Sequence, residues 1–196
     1  RDYENQQTPT KDEDKTASMT ITFDFEQADG SGGTAGGQTA ADKLIETAVT
    51  TGDGLYADEY EEGRYVYKGA NPNNYITFNN ELWRIIAVET DGTLKIMKKD
   101  SIGNIMWDTS NSNNWARPAT LNTYLNENYY NRLSEEARKL IQTYNWAIGA
   151  VQEKNADLVA QIASEKSTLW NGNIGLFSAS DVIRSNNNPE KCGNTK

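Results

Sequence analysis

Residues Leu82–Met97, with the sequence LWRIIAVETDGTLKIM, decide the fold of this chain. Two apolar runs, Leu82–Val88 and Leu94–Met97, flank a polar tetrapeptide that contains Asp91 and Gly92. An Asp-Gly pair between two such runs is typical of a β-hairpin, because a type I′ turn needs positive φ angles at both central residues. The stretch therefore predicts an antiparallel hairpin that turns at Asp91 and Gly92.

This turn assigns the apolar side chains to the two faces of the hairpin, because successive residues of a strand point to opposite sides. One face is predicted to carry Trp83, Ile85, Ala87, Leu94 and Ile96. The opposite face is predicted to carry Ile86, Val88 and Met97. Since both faces are apolar, we expect a central hairpin that is covered on both sides.

The composition of the chain limits its partners and its chemistry. It has 196 residues and a formal net charge of −9, so nucleic acids and anionic membranes, which are also negative, are not expected as partners. No apolar run approaches the length that spans a bilayer, and we expect no direct membrane insertion. The absence of histidine removes the usual general base and the commonest transition-metal ligand. We predict no cofactor, no metal site and no catalytic residue.

The chain divides into three segments by composition. Residues 1–51 predict a flexible N-terminal tail with a strand at Met19–Phe25, a glycine-rich linker at Asp29–Gly37 and a short helix at Thr39–Thr51. Residues 52–185 predict one α+β globular domain. Residues 186–196 are polar and predict a C-terminal tail.

The elements around the hairpin predict the fold class of the domain. Strands are predicted at Arg64–Lys68 and Tyr75–Phe78, and a long loop follows the hairpin at Asp100–Arg117. By their caps and spacing, helices are predicted to begin at Pro118, Ser134 and Asn155, and a strand at Asn173–Phe177 then precedes a last helix at Asp181–Arg184. The predicted class is α+β, with a small antiparallel β core and flanking helices.

The acidic residues of the chain offer two further interpretations. A cluster lies before the strand predicted at Arg64–Lys68 and contains Asp53, Asp58, Glu59, Glu61 and Glu62. Its spacing lacks the alternation and the closing glutamate of a calcium loop, so we interpret it as solvated surface. Two carboxylates could also act as a glycosidase pair, but the spacing along the chain selects no pair.

The aromatic residues of the long loop are the candidate ligand contacts. Trp107, Trp115 and Tyr130 lie in or beside this polar segment, where exposed rings could stack on sugars or anchor a protein partner. The favoured alternative for Trp107 and Trp115 is that they cover the core as amphipathic lids. Trp83 and Trp146 are predicted to lie in the core.

Three sequence motifs together form a pattern that resembles that of a known family. They are Trp83-Arg84-Ile85 in the hairpin, Trp115 followed by Leu121, Tyr124, Leu125 and Asn126, and Ser178 followed by Asp181. This pattern, which covers about Gly52–Ser185, resembles a family of domains of unknown function in surface proteins of Gram-positive gut bacteria. That family is more distantly similar to C-type-lectin-like folds, including the domain of formylglycine-generating enzymes.

The resemblance implies a small antiparallel β core flanked by two helices, and it implies no activity. The catalytic cysteines of formylglycine-generating enzymes have no counterpart here. Members of the family continue past the position of Cys192 with a second cysteine and a Trp-rich strand region. The resemblance thus implies that the domain is incomplete at its C-terminus, or that Met19–Phe25 supplies the missing edge. Cys192 is expected to be exposed, because the segment Ser185–Lys196 offers no apolar neighbour that could bury it. Secreted proteins rarely keep an unpaired exposed thiol, and the resemblance also implies that the partner of Cys192 lies in chain outside this sequence.

These observations predict a non-enzymatic binding or adhesion module that is extracellular and acts at the cell surface. Its expected ligand is a protein or a glycan. The alternatives are a glycan-active enzyme that uses acidic residues and a structural stalk or pilus-associated domain. The loop tryptophans favour a binding module over a stalk, and the absence of histidine weighs against an enzyme.

Overall fold

A computed structural model describes residues 38–111, 118–151 and 158–186. The predictions for Met19–Phe25, Asp29–Gly37, Trp115, Asn155 and Cys192 fall outside these ranges.

The described residues form two antiparallel sheets. The larger sheet contains β1 (Gly54–Ala57), β2 (Tyr65–Lys68), β3 (Tyr75–Phe78), β4 (Glu81–Val88) and β5 (Leu94–Lys98). The smaller sheet pairs β6 (Tyr144–Ala147) with β7 (Leu169–Gly172). Helices flank the sheets, so the predicted α+β class with an antiparallel β core is confirmed.

The helices are short. They are α1 (Ala40–Ile45), α2 (Thr120–Thr123), α3 (Glu135–Leu140), α4 (Leu158–Lys166) and α5 (Ala179–Arg184). A π-helix at Tyr124–Tyr129 and a 3-10 turn at Tyr130–Arg132 continue α2. The side chains of Thr39, Ser134 and Ser178 accept hydrogen bonds from the first turns of α1, α3 and α5, as N-cap residues do.

The first helix is shorter than predicted. The prediction extended it to Thr51, but α1 ends at Ile45. The backbone N–H of Thr47 donates to the Leu44 carbonyl at 2.9 Å, and the hydroxyl of Thr47 donates to the same oxygen at 2.7 Å. A threonine that bonds this locally competes with the helical ladder, which accounts for the early end.

Strand β4 is the centre of the larger sheet. β5 pairs with it as the second strand of the predicted hairpin. β2 pairs with its carboxyl end at Ala87 and Val88, while β3 pairs with its amino end at Glu81–Arg84. β1 extends the sheet beyond β2.

Asn74 fills the gap that β2 and β3 leave beside β4. Its carbonyl oxygen accepts from the N–H of Ile85 at 2.7 Å, and its side-chain amide donates to the carbonyl of Ile85 at 2.7 Å. One buried asparagine therefore supplies both bonds that a neighbouring strand would have made.

The hairpin turn differs from the prediction. The N–H of Glu89 donates to the Thr93 carbonyl at 2.8 Å, and the N–H of Gly92 donates to the Glu89 carbonyl at 2.9 Å. Of the loop residues only Gly92 has a positive φ, at 81°. This is a three-residue loop in which a type I turn precedes a left-handed glycine. Asp91 keeps a negative φ, and its carboxylate accepts from the N–H and hydroxyl of Thr93.

The predicted faces of the hairpin are also wrong beyond the middle of β4. The register shifts at a β-bulge between Ile85 and Ala87. Leu94 therefore lies opposite Val88 and shares its face, whereas the prediction placed Leu94 on the same face as Ala87. A bulge adds one residue to one strand and exchanges the faces that follow it. Lys95 is therefore the residue of β5 that lies opposite Ala87.

The predicted burial of both faces of the hairpin is confirmed for only part of its length. Residues 85–88 are buried on both sides, whereas Leu82 and Met97 are exposed. Trp83, which was predicted in the core, is half-buried and packs edge-to-face against Phe78 at 5.5 Å between ring centroids. Trp146, with the same prediction, is also half-buried.

The strand predicted at Asn173–Phe177 is wrong, since the strand of this region is β7 at Leu169–Gly172. The carboxamide oxygen of Asn126 accepts from the N–H groups of Asn173 and Ile174, at 3.2 and 2.9 Å. The side-chain amide of Asn126 donates to the carbonyl of Ile174 at 3.0 Å. These three bonds take residues 173 and 174 out of a strand ladder and attach them to the π-helix.

Replacement of Asn74 tests its role in the sheet. Asn74→Ala leaves the carbonyl of Ile85 buried without a donor, which should lower the free energy of unfolding by about 1–3 kcal/mol. Urea denaturation measures this loss. Asn73→Ala, at the adjacent exposed position, is the control. Equal unfolding free energies for the two variants would show that Asn74 does not bridge the strands.

Candidate functional site

Charged side chains gather on one face of the larger sheet. Val66 lies opposite Ala87, and Ala87 lies opposite Lys95, so these three residues share a face. Arg64 and Glu89 stand two residues from Val66 and Ala87, and the period of two places them on that same face. The bulge in β4 is what brings Lys95 to this face.

Arg64 is the centre of this cluster. Its Nε and Nη2 atoms donate to the two carboxylate oxygens of Glu89, at 2.9 and 3.1 Å. Its Nη1 atom donates to Asp58 Oδ2 at 2.8 Å. All three side chains are buried, and this bidentate pair is the strong geometry for arginine and a carboxylate.

Helix α5 closes the cluster from above the sheet. Asp181 and Arg184 are three residues apart and therefore lie on one face of the helix. Lys95 Nζ lies 2.6 Å from Asp181 Oδ2, and Arg64 Nη2 lies 3.5 Å from Asp181 Oδ1. Arg184 Nη1 lies 2.5 Å from Asp58 Oδ2. The ion pairs thus join the sheet to the helix.

The interpretation of the acidic segment before β2 as solvated surface is wrong for Asp58. Its side chain is only 1% exposed, because it is bound by both Arg64 and Arg184. Glu59 agrees with the prediction, since its side chain is largely exposed.

A cavity of about 310 Å³ opens beside these ion pairs, and we call it the charged cavity. Its lining includes the charged residues Arg64, Glu89, Lys95, Glu165 and Asp181, the aromatic residues Tyr144 and Trp146, and the aliphatic residues Ile162, Leu169 and Leu176. Charged groups and apolar side chains therefore meet in one concave space, which is the usual composition of a small-ligand site.

The pKa values of Tyr144 and Asp181, which both line the cavity, are shifted from their ordinary values. Burial, and then the charge of Glu89, raises the pKa of Tyr144 to about 12, so its hydroxyl is protonated at neutral pH. Burial disfavours the charged form of Asp181, but the charge and hydrogen bond of Lys95 and the bonds from Ser178 outweigh it. The pKa of Asp181 therefore lies below its ordinary value.

A second feature is the loop at residues 99–111, which we call the Trp107 loop. The Trp107 side chain is 53% exposed, and that of the adjacent Met106 is 62% exposed. The prediction that Trp107 covers the core as a lid is therefore wrong. An exposed tryptophan beside an exposed methionine is a large apolar contact surface.

The backbone of the Trp107 loop is held in place despite this exposure. The carbonyl of Trp107 accepts from the N–H of Leu121 at 3.0 Å. The carboxylate of Asp108 accepts from the N–H of Ser110 at 2.8 Å and from the N–H of Thr120 at 3.3 Å. The N–H of Thr109 donates to the Thr120 hydroxyl at 3.1 Å. The start of α2 thus fixes the loop at the residue that exposes its ring.

The three predicted ligand contacts are not shown together. Tyr130 is half-buried in the 3-10 turn, and no ring contact joins it to Trp107 in the part of the chain that the structure describes. Trp115 lies outside the described residues. Of the two that the structure describes, Trp107 is the more exposed.

The sequence reasoning missed the charged cavity, although one signal was present. Lys95 interrupts the apolar run Leu94–Met97, and Glu89 directly follows the buried end of β4. A charged residue within or beside a buried strand needs a partner of opposite charge. Asp181, the partner of Lys95 in α5, is about 90 residues away along the chain. The signal therefore indicates that a partner exists but does not identify it.

Residues 38–111, 118–151 and 158–186 contain no group of three or more acidic, histidine or cysteine side chains that could hold a metal ion. No helix within these ranges has both the length and the apolar character needed to cross a membrane. Comparison with protein-family models, with curated proteins and with solved structures gives no match.

The lowered pKa of Asp181 predicts how stability depends on pH. The native state binds fewer protons at this group than the unfolded state, whose pKa is near 3.8. Its contribution is therefore complete above that value and is lost as the pH falls through 3.8 toward the lower folded pKa. Asp181→Asn should lower the free energy of unfolding most near neutral pH, and the gap to the parent should narrow in acid.

Urea unfolding at a series of pH values measures this gap. Asp100→Asn, at an exposed position, is the control and should follow the parent throughout. A gap between parent and Asp181→Asn that stays constant down to about pH 3 would contradict a lowered pKa at Asp181.

Proposed function

We propose that this domain is a non-enzymatic binding or adhesion module, that it acts outside the cell at the cell surface, and that the Trp107 loop contacts its ligand. The observation that carries the proposal is the exposed ring of Trp107 on a backbone that Leu121 and Thr120 hold in place.

Exposure and fixed geometry together favour binding. Tryptophan side chains supply much of the energy at interaction sites, because a single ring buries a large area. A ligand gains most when the contact residue is already ordered, since less conformational entropy is lost on binding. The hydrogen bond that the Asp108 carboxylate accepts and those that the N–H groups of Thr109 and Leu121 donate meet this condition.

The flat indole of Trp107 suits two classes of ligand. It can stack on a sugar ring of a glycan, or it can enter an apolar pocket of a protein partner together with Met106. The acidic surface of the chain favours neither nucleic acids nor anionic membranes as alternatives.

Two carboxylates of the charged cavity, those of Asp181 and Glu89, favour a binding module over a glycan-active enzyme. A glycosidase needs one carboxyl group whose raised pKa keeps its proton for the leaving group. The pKa of Asp181 is lowered, and both carboxylate oxygens of Glu89 accept hydrogen bonds from Arg64, one from Nε and one from Nη2. Neither group is suited to donate a proton.

The resemblance to domains of bacterial surface proteins supports the cell-surface location, and a C-type-lectin-like arrangement is the finer fold class that we propose. An antiparallel sheet with flanking helices is compatible with this class. Trp115 and Tyr130 are proposed as additional contacts beside Trp107, because aromatic rings in or beside a polar loop can stack on sugars or anchor a protein partner.

The experiment applies the labelled domain to an array of immobilised glycans and to an array of immobilised extracellular matrix proteins. We expect saturable binding on one of them. Trp107→Ala should weaken it at least about tenfold, which is the effect of losing an interaction of about 1.4 kcal/mol. The fold should be unaffected, because more than half of Trp107 is exposed.

Val159→Ala is the matched control, since it truncates an exposed apolar side chain on α4. It should bind as the parent does. Binding that Trp107→Ala leaves unchanged would refute the role of the loop. A lack of binding on both arrays would count against a binding module and favour the structural stalk.

A further inference from the structure

We propose that the charged cavity binds a primary ammonium group at the end of an apolar chain, as in a lysine side chain. This second site does not depend on the Trp107 loop, and separate variants test the two sites.

The charges of the cavity and of its ion pairs do not balance. The carboxylates are Asp58, Glu61, Glu89, Glu165 and Asp181, and the cations are Arg64, Lys95, Lys166 and Arg184. The ion pairs match every cation in this set to a carboxylate within 3.5 Å. The carboxylate without a cation is that of Glu165.

Among the described residues, Glu165 is buried without a counter-ion. Its residue is 4% exposed, and no cation of the described part of the chain lies within 4.0 Å of its carboxylate. A buried carboxylate is costly unless a positive charge or several hydrogen bonds compensate for the water that it has lost.

Neutral donors satisfy Glu165 only in part. Its Oε1 atom accepts from the side-chain amide of Gln161 at 2.8 Å and from the N–H of Ser180 at 2.9 Å. Its Oε2 atom accepts from the hydroxyl of Ser180 at 2.5 Å. A carboxylate offers about four acceptor positions, so one remains, on Oε2. An ammonium group would fill this position and supply the missing positive charge.

The walls of the cavity suit the apolar chain that carries the ammonium. Leu169 and Leu176 line the cavity and are 59% and 52% exposed, so they present aliphatic surface at its opening. The indole of Trp146 is fixed beside them, because its Nε1 donates to the Gly172 carbonyl at 2.9 Å. The indole of Trp146 also packs directly on Gly175, since a Cβ added at this glycine would lie only 2.4 Å from the ring.

The size of the cavity sets the kind of ligand. About 310 Å³ is at the lower end of the range for small-ligand sites and admits one extended side chain rather than a large molecule. A polar end at Glu165 and an apolar opening at Leu169 define the direction of entry. A lysine of a protein partner or a free alkylamine would both satisfy these requirements.

The experiment follows ¹⁵N-labelled domain by NMR during titration with three small probes. N-acetyl-lysine N-methylamide represents a lysine of a protein, n-pentylamine represents a free amine, and N-acetyl-norleucine N-methylamide has the apolar chain without the charge. We expect saturable shifts of the Ser180 amide and the Trp146 indole with at least one amine, and none with the norleucine probe. Saturation by n-pentylamine alone would identify a free amine as the ligand.

Two variants and one control locate the site. Glu165→Gln removes the charge but keeps an acceptor for Ser180, and it should weaken amine binding at least tenfold. Leu169→Ala should weaken it about threefold, the scale of a partial loss of apolar contact, and its exposed position spares the fold. Val159→Ala, an exposed position outside the lining, should bind as the parent does.

The proposal is overturned if neither amine shifts these signals, if the norleucine probe binds as well as the lysine probe, or if both cavity variants bind like the parent. Should Glu165→Gln fail to fold, Leu169→Ala and the norleucine comparison decide the question alone.

Discussion

The domain depends on the burial of one guanidinium group, that of Arg64. Its partners come from three places in the chain, since Asp58 follows β1, Glu89 follows β4 and Asp181 lies in α5. A buried arginine is tolerated only when its donors are met by carboxylates or other acceptors. These elements must therefore take their places together, because the loss of any one of them leaves a charge in the interior.

This constraint explains the bulge in β4 and the position of α5. Without the extra residue at Ile86, Lys95 would face the opposite side of the sheet, and Asp181 would lose its nearest cation. Ser178 orients Asp181 through the capping box at the start of the helix. Buried ion pairs add less stability than apolar residues of the same size, but they specify one arrangement of sheet and helix. The charged cavity is the space beside this arrangement.

The sequence correctly predicted those elements that are determined by residues close to them in the chain. The strands predicted at Arg64–Lys68 and Tyr75–Phe78 and the helix start predicted at Ser134 follow from nearby residues. The structure confirms them, with the first of these strands beginning at Tyr65. Trp107 was a candidate contact because it lies in a polar loop, and its exposure is consistent with this role.

The errors in β4, at residues 173–177 and at the charged cavity have causes that act over a distance. The turn residues Asp91-Gly92 could not reveal the bulge at Ile86, which exchanges the faces of β4. The prediction of a strand at Asn173–Phe177 failed because Asn126, 47 residues earlier, binds its first residues. The cavity was not predicted because its residues come from elements that meet only in the fold.

A double-mutant cycle between Arg64 and Glu89 tests the central role of the buried guanidinium most directly. Arg64→Met and Glu89→Leu each leave a charged partner unpaired, and each should lower the free energy of unfolding by about 3–5 kcal/mol. The double variant removes both charges, so it should lose less than the sum by at least about 1.5 kcal/mol. Losses that add to within about 0.5 kcal/mol would show that Arg64 and Glu89 act independently and would contradict this account.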